Sequence, residues 1–213
     1  MDVRMFTVGQ IQENCFLIRP DGGDRAVIVD PGEEAPKLLG AIEALGVTLD
    51  AILLTHTHFD HVGAVAPVAK ATGAPVYCPA LEVEVLRNIM DYVPWAGFGP
   101  YESWDPEHTV AGGERLQLAG LDIEVLFTPG HSPGHVTYAI EAEKALFSGD
   151  VLFQSSVGRT DLPGGDHATL IASIGTLLDR FDDEFVVHPG HMGLTTLGRE
   201  RATNPFLAEL AQS

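Results

Sequence analysis

The chain has 213 residues, enough to bury a substantial core, and its composition predicts a single domain over residues 1–213. Thirty acidic residues against twelve lysines and arginines give it a net charge of −18 at pH 7. A surface this acidic repels polyanions, and no apolar run is long enough for a bilayer, so we expect neither nucleic-acid nor membrane binding.

Two features predict the compartment. The only cysteines, Cys15 and Cys78, are too few for a disulfide framework, and we expect both to be reduced thiols. The first five residues lack the apolar core of an export signal. A cytoplasmic protein is therefore expected, while the pattern leaves its oligomeric state open.

The first half of the chain predicts strands that alternate with helices. Strands are expected at residues 5–8, 14–18, 25–29, 50–55 and 74–78. An amphipathic helix is expected over residues 34–45, with Gly46 as its C-terminal stop, and a second helix is expected to begin at Val62.

Residues 81–108 have a mixed pattern. Helical spacing over residues 82–90 gives way to prolines and glycines, and the segment holds both tryptophans, Trp95 and Trp104. An aromatic loop of this kind either covers a substrate or anchors itself on the core, and the sequence leaves both interpretations open.

The second half predicts further strands at residues 116–118, 123–127, 136–140, 145–148 and 185–187. Helices are expected over residues 168–180 and 199–210. Periodicity alone thus indicates an α/β protein with a mixed sheet.

A dense cluster of polar groups follows the apolar strand at residues 50–55. His56, His58, Asp60 and His61 lie within six positions. Imidazole and carboxylate are ligands that divalent zinc, iron and manganese accept. The alternatives are a chance cluster on a solvated turn or a single structural zinc.

Three more candidate ligands lie just past other apolar strands: His131, Asp150 and His191. Open α/β sheets place their sites at the carboxyl ends of strands, so these side chains are expected to meet the first cluster. A structural zinc more often uses cysteine, and neither thiol lies near a second ligand in the sequence.

The motif His-x-His-x-Asp-His after a hydrophobic strand resembles the signature of the metallo-β-lactamase-fold hydrolases. Residues 146–153, 157–161 and 195–206 resemble the short, glyoxalase II-like homologues of hydroxyacylglutathione hydrolase. This resemblance implies a four-layer αββα sandwich, an α/β fold in which two mixed sheets carry helices on their outer faces.

The resemblance also implies a site for two divalent metal ions, with zinc expected first and iron or manganese as alternatives. The implied first set of ligands is His56, His58, His131 and Asp150. The implied second set is Asp60, His61, Asp150 and His191. Asp150 would bridge the ions, and Asp60 and Asp150 are the residues predicted to be catalytic.

Two ions that share a hydroxide suit attack on an activated acyl group. The implied substrate is a small thioester such as S-lactoylglutathione or a related 2-hydroxyacyl thioester. Arg159 stands where full-length glyoxalase II has a lysine that contacts glutathione, so it is predicted to bind substrate. The alternative is that Arg159 holds its own loop through Asp161. Full-length enzymes carry a further C-terminal helical segment, whereas this chain ends at Ser213, which leaves glutathione specificity open.

Persulfide dioxygenases provide the alternative function. They share the His-x-His-x-Asp-His motif but use a single iron to activate oxygen, and they typically follow Pro-Ala-His with Asp-Tyr. Here the corresponding residues are Pro189-Gly190-His191-Met192-Gly193, which favours the hydrolase. A non-catalytic metal-binding scaffold is the third interpretation.

The resemblance places Asp30-Pro31-Gly32 beneath the metals, where Asp30 would orient ligands; the alternative is a plain turn. His135 is predicted to support ligands rather than to bind metal. His108 and His188 are predicted to be non-catalytic, and His167, after a glycine-rich stretch, is expected to begin a helix.

Overall fold

A computed structural model of the protein describes residues 1–207. The first sheet has six strands arranged in chain order: β1 (Asp2–Val8), β2 (Glu13–Arg19), β3 (Arg25–Val29), β4 (Thr48–Leu53), β5 (Val76–Pro79) and β6 (His108–Val110). Its first three strands pair antiparallel, and β3 to β6 pair parallel.

The second sheet begins with an antiparallel run: β7 (Arg115–Leu118), β8 (Leu121–Phe127), β9 (Val136–Ile140) and β10 (Ala145–Gly149). A short separate hairpin follows, formed by β11 (Leu152–Phe153) and β12 (Ser156–Val157). The sheet is completed by β13 (Val186–Pro189), parallel to β10, and by β14 (Thr195–Thr196) at the edge.

Six α-helices connect these strands in the described residues: α1 (Ala35–Leu45), α2 (Phe59–Val62), α3 (Val65–Thr72), α4 (Val83–Arg87), α5 (His167–Arg180) and α6 (Leu197–Thr203). Short 3₁₀ turns lie at Ala80–Glu82, Ile89–Asp91, Glu141–Glu143 and Pro205–Leu207. As predicted, α1 ends at Gly46, whose φ of 63° favours a residue without a Cβ. None of the helices within residues 1–207 is both long and apolar enough to cross a bilayer.

Three apolar clusters define the layers. One joins α1 and α3 to the outer face of the first sheet through Leu38, Ile42, Val65, Val68, Ile28 and Ile52. The second fills the space between the sheets with Phe16, Val29, Leu53, Val125, Tyr138 and Phe147. The third joins α5 to the outer face of the second sheet through Leu146, Val187, Leu170, Ile174 and Leu177. The order helix, sheet, sheet, helix is the predicted αββα sandwich.

Strand β4 is apolar and buried over its last three residues, and its packing explains why. Ile52 belongs to the outer cluster, whereas Ala51 and Leu53 belong to the cluster between the sheets. Successive side chains of a strand point to opposite faces, so a strand covered on both faces needs apolar residues at every position.

The structure differs from the predicted elements mainly in small pieces. Strands β6, β11, β12 and β14 were not predicted, and each has only two or three residues. The helix expected from Val62 is interrupted at Gly63 and Ala64, which separate α2 from α3. The helix predicted over 199–210 is observed as α6 followed by a 3₁₀ turn, and its last positions, 208–210, lie outside the described residues. Both cysteines are buried free thiols.

Candidate metal centre

Three imidazoles form the first ligand group. His56 and His58 follow β4, and His131 follows β8. The Nδ1 atom of His58 lies 3.1 Å from Nε2 of His56 and 2.8 Å from Nε2 of His131. The three nitrogen atoms thus converge on one point at the carboxyl ends of strands from both sheets, as metal ligands do.

The second group consists of Asp60, His61 and His191. The Nε2 atom of His191 lies 3.3 Å from an Asp60 carboxylate oxygen, and that of His61 lies 3.9 Å from the same oxygen. Asp60 and His61 are on α2, directly after the first group, while His191 follows β13. The short segment from His56 to His61 therefore supplies ligand atoms to both groups.

Asp150 lies between the two groups. Its Oδ2 is 3.5 Å from Nε2 of His131 and 3.5 Å from Nε2 of His191, and its Oδ1 is 3.4 Å from Nε2 of His61. Asp150 follows β10, the strand adjacent to β13. This is the placement that a carboxylate shared by two ions requires. All seven predicted ligands therefore meet in one place.

The outer nitrogens of two ligands are held by the protein. His131 Nδ1 donates to the Arg159 carbonyl at 2.7 Å, and His61 Nδ1 donates to Asp30 Oδ2 at 3.0 Å. These bonds assign the proton to Nδ1 and leave the Nε2 lone pair facing the centre, as ligand histidines require.

Asp30 connects both groups from beneath. Its Oδ1 accepts from the Thr55 backbone at 2.8 Å, and its Oδ2 accepts from the Thr55 hydroxyl at 2.6 Å as well as from His61. The Thr55 hydroxyl also lies 3.0 Å from Nδ1 of His56. Through these bonds Asp30 orients one ligand of each group: His61 directly and His56 through the Thr55 hydroxyl. This geometry fits the interpretation in which Asp30 lies beneath the metals and orients their ligands.

His135 supports Asp150. Its Nε2 accepts the Asp150 backbone N–H at 3.1 Å, and its Nδ1 lies 3.2 Å from the Thr128 hydroxyl. The ring stacks on His56 at 4.9 Å between centroids and is completely buried. Both nitrogens thus have protein partners, which matches the supporting role predicted for this residue.

Glu82 is a supporting residue that the sequence did not reveal. Its carboxylate is buried and accepts from the Thr57 hydroxyl at 2.8 Å, the Ser132 hydroxyl at 2.7 Å and the Gly134 backbone at 2.8 Å. It therefore ties the loop that carries His56 and His58 to the loop that carries His131. The sequence offers no distinguishing signal, because Glu82 and the exposed Glu84 stand in the same stretch and the partners of Glu82 are remote in the chain.

Gly190 allows the chain to pass close to the centre. A Cβ at this position would collide with the Asp150 carboxylate and with the His61 ring. Glycine is therefore needed between β13 and His191 because the backbone itself fills the space next to two ligands.

Charge at the centre favours a cation. Burial and the neighbouring imidazole of His61 lower the pKa of His56 well below its usual value, and burial lowers the pKa of His58 to about 4. Both rings are therefore neutral near pH 7 and can donate lone pairs. At His61 burial acts in the same direction, but the carboxylates of Asp150 and Asp60 outweigh it and raise its pKa well above the usual value.

The donor set fits divalent metal ions. Within residues 1–207, His61 Nε2 and Asp150 Oδ1 are buried and have no hydrogen-bond partner, although each such atom costs about 1–3 kcal/mol when left unsatisfied. A cation between them would satisfy both. Neutral imidazoles with carboxylates suit zinc, iron and manganese, so the donor set does not select one of them.

A cavity of about 1010 Å³ opens beside the centre. Residues 91–95 of the aromatic segment line it, while Phe98, Tyr101 and Trp104 of the same segment pack against the outer cluster of the first sheet. The two parts of residues 81–108 therefore differ in their contacts: residues 91–95 form a wall of the cavity, and Phe98, Tyr101 and Trp104 anchor the loop on the core.

Arg159 lines this cavity and binds Asp161. Its Nε and Nη2 donate to the two Asp161 oxygens, both at 2.7 Å. The bond to Asp161 fits the interpretation in which Arg159 holds its own loop. Its place in the cavity wall fits the interpretation in which Arg159 binds substrate.

The other histidines lie away from the centre. His188 is buried in the core, stacked on Phe147 at 4.6 Å between centroids. His108 is exposed on β6 beside Tyr77, and His167 begins α5. None belongs to a group of candidate ligands in the described residues.

Replacing Glu82 tests its support of the first ligand group. In Glu82→Leu three buried donors lose their acceptor, so we expect the free energy of unfolding to fall by about 3 kcal/mol. Zinc affinity of the first group should fall by about tenfold or more. Glu82→Gln keeps an acceptor and should lose less. The control is Glu84→Leu, because Glu84 is two residues further along and exposed. Equal losses of thermal stability and of zinc affinity in the two leucine variants would contradict the supporting role of Glu82.

Asp150 and His61 should differ in their effect on metal content. Asp150 faces both ligand groups, so Asp150→Ala should lower affinity for both ions, and elemental analysis should find less than one equivalent. His61→Ala should keep about one equivalent, because the first group stays complete. The exposed His108→Ala serves as control. Similar metal content in the Asp150 and His61 variants would contradict a shared carboxylate.

Comparison with known proteins agrees with this centre. The family model of the metallo-beta-lactamase superfamily matches residues 8–191. The chain is 38% identical over 209 residues to the hydroxyacylglutathione hydrolase GloC of Haemophilus influenzae, which covers 97% of this chain and 98% of that protein. This confirms the resemblance to the glyoxalase II-like proteins.

Two solved structures share the fold over nearly all of the chain. TTHA1623 in a di-iron-bound form is 44% identical with a TM-score of 0.88, covering 96% of this chain and 100% of its own. The BLEG-1 B3 metallo-beta-lactamase is 40% identical with a TM-score of 0.91, covering 97% of this chain and 100% of its own. The chain is therefore a metallo-hydrolase that belongs to the metallo-β-lactamase superfamily.

Proposed function

We propose that this protein hydrolyses a small-molecule acyl thioester, such as S-lactoylglutathione or a related 2-hydroxyacyl thioester, at a site for two divalent metal ions. The observation that carries the proposal is Asp150, whose two oxygens face both ligand groups at 3.4–3.5 Å. The likeness to the hydroxyacylglutathione hydrolase GloC supports a thioester as the substrate class.

Two ions held by these residues would supply a nucleophilic water at neutral pH and would polarise the substrate carbonyl. The thioester lies in the adjoining cavity, with its carbonyl toward the ligand groups and its thiol part toward residues 91–95. The water oxygen bonds to the carbonyl carbon, the carbon–sulfur bond breaks, and the products are a carboxylic acid and a free thiol.

Asp60 and Asp150 are the carboxylates at the reacting end of the cavity. Asp150 aligns the two ligand groups, and Asp60, at 3.3 Å from His191, accepts the proton that the water gives up. A covalent serine is not needed, and Ser132, which lines the cavity, has its hydroxyl engaged by Glu82 at 2.7 Å.

Zinc is the ion we propose first, since zinc suits hydrolysis without redox chemistry. Iron and manganese accept the same ligands, and TTHA1623 was solved with two irons. A cytoplasmic location is consistent with two buried free thiols.

The alternative is a mono-iron persulfide dioxygenase. Such an enzyme would leave Asp60, His61 and His191 without a metal. Here these residues form a compact group, and His61 Nε2 is buried with no hydrogen-bond partner in the described residues. A second ion accounts for this group, so we favour the hydrolase.

Metal content tests the two-ion site. Protein made in metal-replete medium should contain two equivalents by elemental analysis, and chelation should remove thioesterase activity and lower the melting temperature, since ions bound to the folded state stabilise it. Adding back two equivalents of zinc should restore both. A constant value of one equivalent, with no gain on reconstitution, would count against the second group.

Reaction type is tested by measuring thioester cleavage and oxygen uptake side by side, on zinc-loaded and iron-loaded protein. We expect S-lactoylglutathione to be cleaved with no oxygen consumed. His191→Ala should reduce cleavage by about 10²-fold or more, because it opens the second ligand group. Iron-dependent oxygen uptake with glutathione persulfide, unaffected by His191→Ala and with no thioesterase activity, would establish the dioxygenase instead.

A further inference from the structure

The cavity beside the metal centre has predominantly apolar walls. Nine large hydrophobic side chains are exposed in the described part of the chain, and four of them line this cavity: Leu81, Tyr92, Trp95 and Met192. Exposed apolar groups that gather around one cavity mark a binding site for an apolar group.

Trp95 is held in this wall from two sides. Its ring packs edge to face against Phe59 at 5.9 Å between centroids, and the guanidinium carbon of Arg159 lies 5.7 Å from the ring centroid. Phe59 is buried and directly precedes Asp60. The tryptophan is therefore fixed relative to the ligand groups and still has 42% of its surface exposed for contact.

The cavity has little positive charge to offer. Arg159 is the only lysine or arginine among its described lining residues. Both Asp161 oxygens accept from it at 2.7 Å, and this bond lowers the pKa of Asp161 to about 2, so the aspartate is charged at neutral pH. Asp91 adds another carboxylate to the lining, and the whole chain carries a net charge of −18.

We propose that the thiol part of the substrate is uncharged and apolar, so that this cavity prefers a thioester of an arylalkyl or branched alkyl thiol to a thioester of glutathione. The inference rests on the thioester hydrolysis proposed above and names the class of leaving thiol. In this assignment Trp95 and Asp161 determine specificity. Trp95 contacts the thiol part. Asp161 binds Arg159, the cation that a negatively charged thiol would need as its partner.

Glutathione fits this cavity poorly for a physical reason. It carries two carboxylates and one ammonium group, and burying a charge without a partner is unfavourable. One carboxylate would have to displace Asp161 from Arg159, and the other meets an acidic surface. An apolar thiol instead removes its own surface and that of Trp95 from water.

The test uses one acyl group on three thiols, with zinc-loaded protein. The probes are the lactoyl thioesters of benzyl mercaptan, N-acetylcysteamine and glutathione. All three are alkyl thiols bearing the same acyl group, so differences in kcat/KM report the thiol part. We expect the benzyl thioester to exceed the glutathione thioester by about tenfold or more, chiefly through KM.

Two variants assign the preference to residues. Trp95→Ala should lower kcat/KM for the benzyl thioester by about tenfold and lower it less for the N-acetylcysteamine thioester, whose thiol part is smaller and more polar, whereas Trp95→Phe should keep most of the benzyl preference. Asp161→Asn should raise kcat/KM for the glutathione thioester about two- to fivefold, because it frees the Arg159 guanidinium for a substrate carboxylate. The gain is small because an ion pair at Arg159 is about half exposed and therefore weak. The variant should not improve the benzyl thioester.

A binding measurement separates this inference from the proposed reaction. Uncleavable thioethers, benzyl ethyl sulfide and S-ethylglutathione, are titrated while the fluorescence of Trp95 is recorded. The Trp104→Phe variant removes the second tryptophan. We expect benzyl ethyl sulfide to quench this fluorescence at a concentration about tenfold lower than S-ethylglutathione.

The outcomes are distinct. Absence of cleavage of all three thioesters would overturn the proposed function, while the thioether titration would still decide whether the cavity prefers an apolar thiol. Tighter binding and faster cleavage of the glutathione compounds would overturn this inference and leave thioester hydrolysis standing. An equal loss for all thioesters in Trp95→Ala would overturn the role of Trp95 in specificity.

Discussion

Buried acceptor atoms without donors are the constraint on which the rest of this structure depends. His61 Nε2 and Asp150 Oδ1 are both buried without a hydrogen-bond partner within residues 1–207. The carboxylates around His61 raise its pKa well above the usual value despite its burial, so the same field that attracts a proton there also attracts a metal ion. We therefore expect stability of the fold to depend on occupation of the centre, as in other proteins whose ligands come from separate elements.

Such a centre keeps its shape only if the surrounding layer is rigid. Asp30 and Glu82 each accept three hydrogen bonds, and each links segments that carry ligands. Glu200 also accepts three hydrogen bonds. It lies at the edge of the second sheet, and its buried carboxylate accepts from Ser155, Thr195 and Asn204. Buried carboxylates whose oxygens are satisfied by hydrogen bonds rigidify the loops that they join.

The seven candidate ligands, which the structure brings together, could be picked out from the sequence because their signal is local. Each of the seven follows an apolar strand, and the ends of neighbouring strands meet at one edge of the fold. Glu82 was missed because its role exists only through Thr57, Ser132 and Gly134, which are 25 to 52 positions away. Strands such as β14 were missed for a related reason: two residues have no periodicity, and pairing with a neighbour alone defines them. Arg159 stayed ambiguous because one guanidinium contacts Asp161 and also faces the cavity.

The division between sheets and loops explains why family membership leaves the substrate open. The ligands sit at the ends of β4, β8, β10 and β13, where the cores of both sheets fix them, so the chemistry is a property of the fold. Much of the cavity wall comes instead from residues 91–95, Arg159 and residues 162–164, which lie outside the two six-stranded sheets. Loops on a rigid scaffold can change their side chains without disturbing the core. Specificity in this protein must therefore be argued from Trp95, Arg159 and Asp161 themselves, because the metal ligands would be the same for a charged or an uncharged thiol.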